Sequence, residues 1–167
     1  MFEKFYPDHR ISSAYKIPYE KLYRRGFRGL IFDIDNTLVP HGAPADQRAR
    51  DLFVRLEQIG FSCCLLSNNR RGRVDMFNKD IGVYSIAMAA KPAKSGYLKA
   101  MQLMGTNKDN TVFIGDQLFT DIWGAKRTGI LSILTDPINP REEIQIILKR
   151  RIEAVVLYFY NKRTKNS

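Results

Sequence analysis

The sequence is poor in the residues that form disulfide frameworks and zinc sites. Its only two cysteines, Cys63 and Cys64, are adjacent inside an apolar run, and its only two histidines, His9 and His41, lie far apart. Adjacent cysteines give no disulfide framework, and neither residue type shows the spacing of a zinc site. We therefore expect a reducing compartment, with the cytoplasm as the default location.

Long apolar segments are also missing. No run reaches the roughly 18 apolar residues that suggest a membrane-spanning helix. The first ten residues, MFEKFYPDHR, lack the apolar stretch of about 7 to 15 residues found in secretory signals. The sequence thus predicts neither a spanning helix nor a secretory signal.

Acidic residues are few compared with basic ones. There are 17 Asp and Glu against 27 Lys and Arg, a net charge of +10. Residues 1–29 and 141–167 each contain seven basic and three acidic residues, whereas residues 30–140 are nearly balanced. Basic ends of this kind suggest an anionic partner, which could be acidic lipid, RNA (at least nonspecifically) or an acidic protein.

From residue 29 onward, short apolar runs alternate with helical patterns. The runs are apolar on consecutive residues, as in strands covered on both faces, and span 29–33, 61–67, 84–87, 111–115 and 130–135. Apolar spacings of three and four predict helices over 45–59, 71–80, 94–104 and 120–127. This alternation predicts an α/β fold, a doubly wound, Rossmann-like parallel sheet of about five strands with helices on both faces.

The length of 167 residues fits a single domain, 1–167. We divide it into a basic, aromatic N-terminal segment (1–28), a catalytic core (29–140) and a basic amphipathic C-terminal helix with its tail (141–167).

Polar residues lie at or just after the ends of four of the predicted strands. They are Asp33, Asp35, Ser67, Asn68, Lys91, Asp116 and Asp121. Ligands of parallel α/β sheets bind at the carboxyl ends of the strands, so these side chains are expected to converge. Clustered carboxylates suit a hard divalent cation, and a lysine beside them can neutralise phosphate oxygens. Each segment alone could be an ordinary turn or helix cap, but four such coincidences at one edge are improbable.

The stretches DIDNT, LLSNN, AAKP and GDQLFTD, in this order, resemble the four motifs of the haloacid dehalogenase (HAD) superfamily of phosphatases. The finer pattern, with SNNRRGRV and IGDQLFTDIWGAKRTG, is similar to the YqeG-like branch of subclass IIIA. That branch is related to the mitochondrial phosphatidylglycerophosphate phosphatase. The resemblance covers roughly residues 7–155 and implies a phosphatase with Mg²⁺ as cofactor.

The resemblance also implies roles for the aspartates. Asp33 would be the nucleophile that forms an aspartyl-phosphate, and Asp35 the general acid and then the general base. Mg²⁺ would be held by Asp33, Asp116 and the backbone carbonyl of Asp35. Asp121 would be a further metal ligand or a carboxylate that supports the metal ligands.

For the phosphoryl group, the resemblance implies binding by Ser67 and Lys91, with the backbone N–H of Asn68 in support. Lys94 is the alternative to Lys91, because it lies only three residues further on.

The spacing of the motifs leaves no room for a cap domain. The 34 residues from Asp33 to Ser67 and the 24 from Ser67 to Lys91 are used by the predicted helices and strands. The catalytic edge should therefore be open, which suits a phosphate on a large substrate or a partner that acts as a lid. The basic run at Arg70, Arg71 and Arg73 could attract a phosphorylated substrate or begin a solvated helix.

Both ends of the chain allow two interpretations. Apolar residues at helical spacing near the C-terminus could lie on a membrane interface or pack on the core: Ile144, Ile147, Leu148, Ile152, Val155, Val156 and Phe159. The N-terminal aromatics could likewise cover the core or meet an anionic surface.

We expect a phosphatidylglycerophosphate phosphatase of phospholipid synthesis, cytoplasmic or peripheral on the inner membrane face. The alternatives are a phosphatase for a soluble metabolite or nucleotide, and an RNA- or ribonucleoprotein-binding module with a vestigial site.

Overall fold

The computed structural model describes residues 1–139 and 144–165, except the side chains of 144–147. Its centre is a parallel sheet of six strands in the order β1-β6-β5-β2-β3-β4. The strands are β1 (His9–Ile11), β2 (Gly29–Phe32), β3 (Ser62–Leu66), β4 (Tyr84–Ile86), β5 (Thr111–Gly115) and β6 (Leu131–Thr135). Every neighbouring pair is parallel, which confirms the predicted sheet type.

Within the described part of the chain, six α-helices accompany the sheet. They are α1 (Tyr19–Arg24), α2 (Gln47–Ile59), α3 (Arg71–Asn78), α4 (Lys94–Met104), α5 (Trp123–Thr128) and α6 (Ile144–Lys165). A wider turn of π-helix, Leu118–Ile122, leads directly into α5. None of the described helices has the length and sustained hydropathy of a membrane-spanning segment.

Separate apolar layers cover the two faces of the sheet. Along β2, Leu30 and Phe32 face the layer beneath α1, α2 and α3, while Ile31 faces the layer beneath α4 and α5. Alternate residues of a strand point to opposite faces. All three side chains are fully buried because both faces are covered. Helices therefore lie on both faces, as the consecutive apolar runs predict.

Local capping sets the bounds of α2. The Asp46 carboxylate accepts a hydrogen bond from the Ala49 N–H at 2.8 Å, which satisfies a free donor of the first turn. The helix ends at Gly60, whose φ of 115° is readily available only to glycine. The chain then reverses directly into β3.

One strand of the described sheet, β1, is not predicted from the sequence. β1 is a three-residue edge strand that pairs with β6 through His9 and Ile133. Its first two residues are exposed, so no apolar run marks it. The helix predicted over 120–127 is present, but it begins as the π-helical turn Leu118–Ile122 and continues as α5. Residues 141–143 and 166–167 of the predicted C-terminal segment lie outside the described residues.

The N-terminal segment packs on the core. Tyr19 is fully buried in the layer under α1–α3, and its hydroxyl donates to the Ala14 carbonyl at 2.7 Å. Phe5 makes edge-to-face contacts with Phe119 and Trp123 at centroid distances of 4.9 and 5.4 Å. These aromatics therefore serve packing, which leaves mainly the charged side chains of this segment on the surface.

Candidate active site

Three central strands end side by side at the edge that carries the polar residues. β2 lies between β5 and β3, and Phe32, its last residue, is in register with residues near the ends of both. Asp33, Ser67 and Asp116 follow these strands directly and are largely buried. The predicted convergence of motifs from distant parts of the chain is thus a consequence of the strand order.

Lys91 links two of the carboxylates. Its Nζ lies 2.8 Å from Oδ1 of Asp33 and 2.7 Å from Oδ1 of Asp121. The side-chain amide of Asn68 fixes its backbone, accepting from the Lys91 N–H at 2.7 Å and donating to the Lys91 carbonyl at 3.1 Å. Lys94, by contrast, is exposed at the start of α4. Lys91 is therefore the lysine that reaches the carboxylate cluster.

Asp33, Asp116 and Asp121 form the carboxylate cluster, with one oxygen from each lying within 4.8 Å of the others. The Thr37 hydroxyl lies between two of them, 3.4 Å from Asp33 Oδ2 and 3.3 Å from Asp116 Oδ1. Burial raises the pKa of Asp33 to about 6, with Lys91 opposing the shift and the Asp121 carboxylate adding to it. Burial and the other two carboxylates raise the pKa of Asp116 well above its ordinary value, against the effect of Arg150. The cluster therefore carries an electrostatic cost.

This donor set fits a hard divalent cation. All three side chains offer oxygen ligands, which Mg²⁺ and similar ions prefer to nitrogen or sulfur. Two cations, Lys91 and Arg150, face three carboxylates, so an excess of negative charge remains. Burial is the largest cause of the raised pKa values of Asp33 and Asp116, and a bound divalent cation would offset the carboxylate repulsion that adds to it.

Asp35 lies outside this cluster in an environment of its own. Its Oδ1 accepts from the Gly42 N–H at 2.7 Å and from Nη2 of Arg73 at 2.9 Å. Its Oδ2 accepts from the side-chain amide of Asn69 at 2.6 Å. The imidazole of His41 approaches to 3.8 Å. Asp35 is thus oriented by donors from the loop after β2, from the loop after β3 and from the first turn of α3.

A glycine at the end of β5 allows one carboxylate to approach the strand. A Cβ on Gly115 would collide with the Asp121 carboxylate. The same carboxylate accepts from the Gln117 N–H at 3.1 Å through Oδ2, while its Oδ1 binds Lys91. Gly115 therefore makes room for the orientation that Asp121 has in the cluster.

The C-terminal helix reaches the same site. Arg150 of α6 places Nη2 2.6 Å from Oδ2 of Asp116. One turn further, Glu153 accepts from the Leu118 N–H at 3.1 Å. Burial raises the pKa of Glu153 to about 7, although Arg150 and the backbone N–H groups of Leu118 and Phe119 act against it. The loop between Asp116 and α5 is therefore held from outside by α6.

A small cavity opens at the centre of these residues. It measures about 90 Å³ and is lined by Asp33, Asp35, Asn36, His41, Ser67, Asn68, Asn69, Lys91, Gln117, Thr120 and Asp121. Enclosed pockets for drug-sized ligands are several times larger, roughly 300–1,000 Å³. A group of about phosphoryl size fits inside, and the remainder of any larger ligand would stay outside.

A cavity of about 650 Å³ lies at the opposite edge of the sheet, beside the starts of β3 and β4, away from the carboxylate cluster.

All seven site residues expected from the sequence lie at this edge. Other described residues contact or position them, among them Thr37, His41, Gly42, Asn69, Arg73, Arg150 and Glu153. Arg73 belongs to a basic run that is visible in the sequence, but nothing in the sequence connects that run to Asp35. The contact between Arg150 and Asp116 depends on how α6 docks, which local sequence does not reveal.

Comparisons with known sequences identify the family of the chain. A family model described as HAD-hydrolase-like matches residues 88–137. The Bacillus subtilis protein named probable phosphatase YqeG is 34% identical over 159 residues, 94% of this chain and 92% of that protein. Phosphatidylglycerophosphate phosphatase 1 of Arabidopsis thaliana, chloroplastic/mitochondrial, is 27% identical over 158 residues. That match covers 84% of this chain but only 44% of the plant protein.

Solved structures share the fold. A Legionella pneumophila protein described as a subfamily IIIA HAD hydrolase aligns with a TM-score of 0.54 and 19% identity, over 72% of this chain and 71% of that one. The cobalt-bound deoxy-D-mannose-octulosonate 8-phosphate phosphatase of Haemophilus influenzae aligns with a TM-score of 0.52 and 14% identity, over 70% and 81%. The fold, the four ordered motifs and the nearly full-length match to YqeG together show that the chain belongs to the YqeG-like family of HAD superfamily phosphatases.

Proposed function

We propose that the chain is a Mg²⁺-dependent phosphomonoester hydrolase that works through an aspartyl-phosphate on Asp33. The observation that carries this proposal is the Lys91 ammonium group, 2.8 Å from Asp33 beside a cavity of phosphoryl size. A carboxylate can act as nucleophile, and a buried cation beside it stabilises the charge of the transferred phosphoryl group.

In the first step an Asp33 oxygen forms a bond to phosphorus while the ester P–O bond breaks. Asp35 gives its proton to the departing alkoxide. In the second step water attacks the aspartyl-phosphate and Asp35 takes the proton of that water. Inorganic phosphate leaves and the Asp33 carboxylate is restored. The donors around Asp35, from Asn69, Arg73 and Gly42, support this role because they orient its carboxyl group.

Asp33, Asp116 and the Asp35 backbone carbonyl are the groups we assign to Mg²⁺, with Asp121 as a further ligand or supporting carboxylate. When bound, Mg²⁺ supplies Lewis-acid stabilisation of phosphoryl charge. Lys91, the Ser67 hydroxyl and the Asn68 N–H would bind the phosphoryl oxygens that the cation does not reach. Both Lys91 and Ser67 line the cavity, as does Asn68.

For the physiological substrate we propose phosphatidylglycerophosphate. The names of the plant relatives support this choice. So does the site itself, since the two gaps between the first three motifs hold only a loop, a helix and a strand each and leave the edge without a cap. A cavity of about 90 Å³ accepts the terminal phosphate of a lipid and leaves the acyl chains outside. This substrate would bring a cytoplasmic chain to the inner face of a membrane as a peripheral protein.

The test is phosphate release from phosphatidylglycerophosphate in mixed micelles with Mg²⁺, beside soluble phosphomonoesters and with Asp33→Asn as the inactive control. We expect a higher kcat/KM for the lipid and at least about a thousandfold loss in the variant. Retained activity in Asp33→Asn would overturn the nucleophile assignment. Activity confined to soluble esters would leave the chemistry in place and reassign the substrate.

A further inference from the structure

α6 has two different faces. Its inner face packs on the core through Val156, which is 1% exposed beside Leu118 and Leu134, and through the buried carboxylate of Glu153. Its outer face exposes an apolar stripe, consisting of Leu148, Ile152, Val155 and Phe159. The stripe residues are spaced by four, three and four positions, so they lie on one side of the helix. We call these four residues the α6 stripe.

The α6 stripe is unusually exposed for apolar residues. Its side chains are between 46% and 58% exposed, and Tyr158 beside them is 63% exposed. The ring of Phe159 is stacked with Phe2 at a centroid distance of 6.0 Å, and Met1 beyond it is 93% exposed. Contiguous exposed apolar residues of this kind mark an interaction surface more often than a solvated one.

Basic residues border the α6 stripe. At 100° per residue, Arg151 and Lys162 fall within one helical step of Val155, and both are exposed. The sequence of α6 holds six basic residues and one acidic residue, Glu153, which is buried on the inner face. The outer face is therefore apolar and cationic, with no carboxylate of its own.

This combination selects one kind of partner. A second copy of the chain would bring like charges together, because the exposed cations of this face outnumber Glu3, the carboxylate that pairs with Arg163 there. The phosphates of RNA would neutralise the cations but would leave the apolar α6 stripe exposed to water. An anionic lipid surface takes the apolar side chains among its acyl chains and the cations among its headgroups.

We propose that the outer face of α6 is a docking surface for anionic lipid bilayers, a device that deepens the proposed function by bringing the site to its substrate. The inner face of the same helix contacts Asp116 and the Leu118 N–H. The docked helix thus lies directly against the loop that borders the catalytic cavity. Docking therefore brings the loop that borders the cavity to within one helix diameter, about 10–12 Å, of the bilayer surface.

The experiment measures binding of the full chain to vesicles of phosphatidylglycerol and phosphatidylcholine, with pure phosphatidylcholine vesicles for comparison. The test variant is Ile152→Asn/Val155→Asn. The matched control is Val54→Asn, because Val54 is 54% exposed on a different helix. Hydrolysis of p-nitrophenyl phosphate in solution is measured alongside, because it needs no membrane.

We expect the wild type and Val54→Asn to bind the anionic vesicles, and about tenfold weaker binding for the double variant. Binding should weaken with added salt, and p-nitrophenyl phosphate hydrolysis should stay within about twofold in all three proteins. Equal vesicle binding by the double variant would overturn the proposal. So would a wild-type dimer that dissociates in the double variant, which would assign the α6 stripe to a second copy. Loss of vesicle binding with unchanged hydrolysis would support the docking surface even if the lipid proved not to be the substrate.

Discussion

Arg150 and Asp116 form an ion pair of 2.6 Å between the C-terminal helix and the end of a central strand. Asp116 is buried next to two other carboxylates, so this contact balances charge that the core would otherwise have to accommodate. The helix is thereby part of the site, although its amphipathic sequence fits either the core or a membrane interface.

Replacing Arg150 with Gln should destabilise the protein when divalent cations are absent. The buried carboxylate of Asp116 would lose the cation that balances its charge. We expect the free energy of unfolding to fall by about 1–3 kcal/mol, a range that allows for the partial exposure of Arg150. Urea unfolding in EDTA measures this. The control is Arg163→Gln, which removes a 3.0 Å ion pair with Glu3 on the exposed end of the same helix and should change the stability little, because both partners are solvated. Equal stabilities of the two variants would contradict the role given to Arg150.

Replacing Arg73 with Gln should impair protonation of the leaving group. Asp35 would lose the two contacts from the guanidinium, at 3.3 and 2.9 Å, and with them part of its orientation. We expect a loss of roughly 10- to 100-fold for an alkyl phosphate, whose leaving alkoxide needs a proton, but under about threefold for p-nitrophenyl phosphate. Steady-state kinetics on both esters separates the effects.

Arg71→Gln is the matched control for Arg73, since Arg71 lies on the same helix and pairs with Asp75 on the surface. It should leave both rates unchanged. The stability loss in Arg73→Gln should be smaller than in Arg150→Gln, because removing the buried Nη1, which has no hydrogen-bond partner among the described residues, offsets part of the cost of breaking the ion pair with Asp35. A similar loss with both esters would show that Arg73 serves the fold instead of Asp35.

Replacing Gly115 with Ala should displace Asp121. The added methyl group would occupy the space of its carboxylate, which would then be drawn away from Lys91. We expect a loss of about 1–3 kcal/mol in the free energy of unfolding together with reduced kcat. Gly72→Ala is the control, because a Cβ there meets no atom within 4 Å and an exposed helical alanine is stabilising by up to about 1 kcal/mol. Wild-type activity in Gly115→Ala would contradict the proposed close approach.

The sequence predicts the central strands and the main site residues for a physical reason. Buried parallel strands are apolar on consecutive residues, and the first polar residue after each run, such as Asp33 or Asp116, therefore marks the edge of the sheet. β1 is not predicted because an exposed edge strand of three residues needs no apolar run. Its pairing with β6 depends on where the N-terminal segment packs.

The supporting residues are harder to predict because their roles depend on orientation and docking. Arg73 contacts Asp35 only because of the angle at which α3 leaves the loop after β3. Arg150 meets Asp116 across 34 residues of chain, through the docking of α6 on the π-helical turn. Both arginines look like ordinary surface cations in the sequence.

Glu153→Gln should stabilise the protein at alkaline pH. The pKa of Glu153 is about 7 in the fold, against an ordinary value of 4.5. The folded state therefore binds the proton more tightly, so stability falls as pH rises from about 4.5 to 7 and the cost stays in full above that. Glutamine keeps an oxygen for the Leu118 N–H but carries no charge. Urea unfolding at about pH 8 should show a gain of roughly 1–3 kcal/mol for the variant, shrinking below about 1 kcal/mol near pH 5. A gain that does not depend on pH would contradict a buried, ionised Glu153.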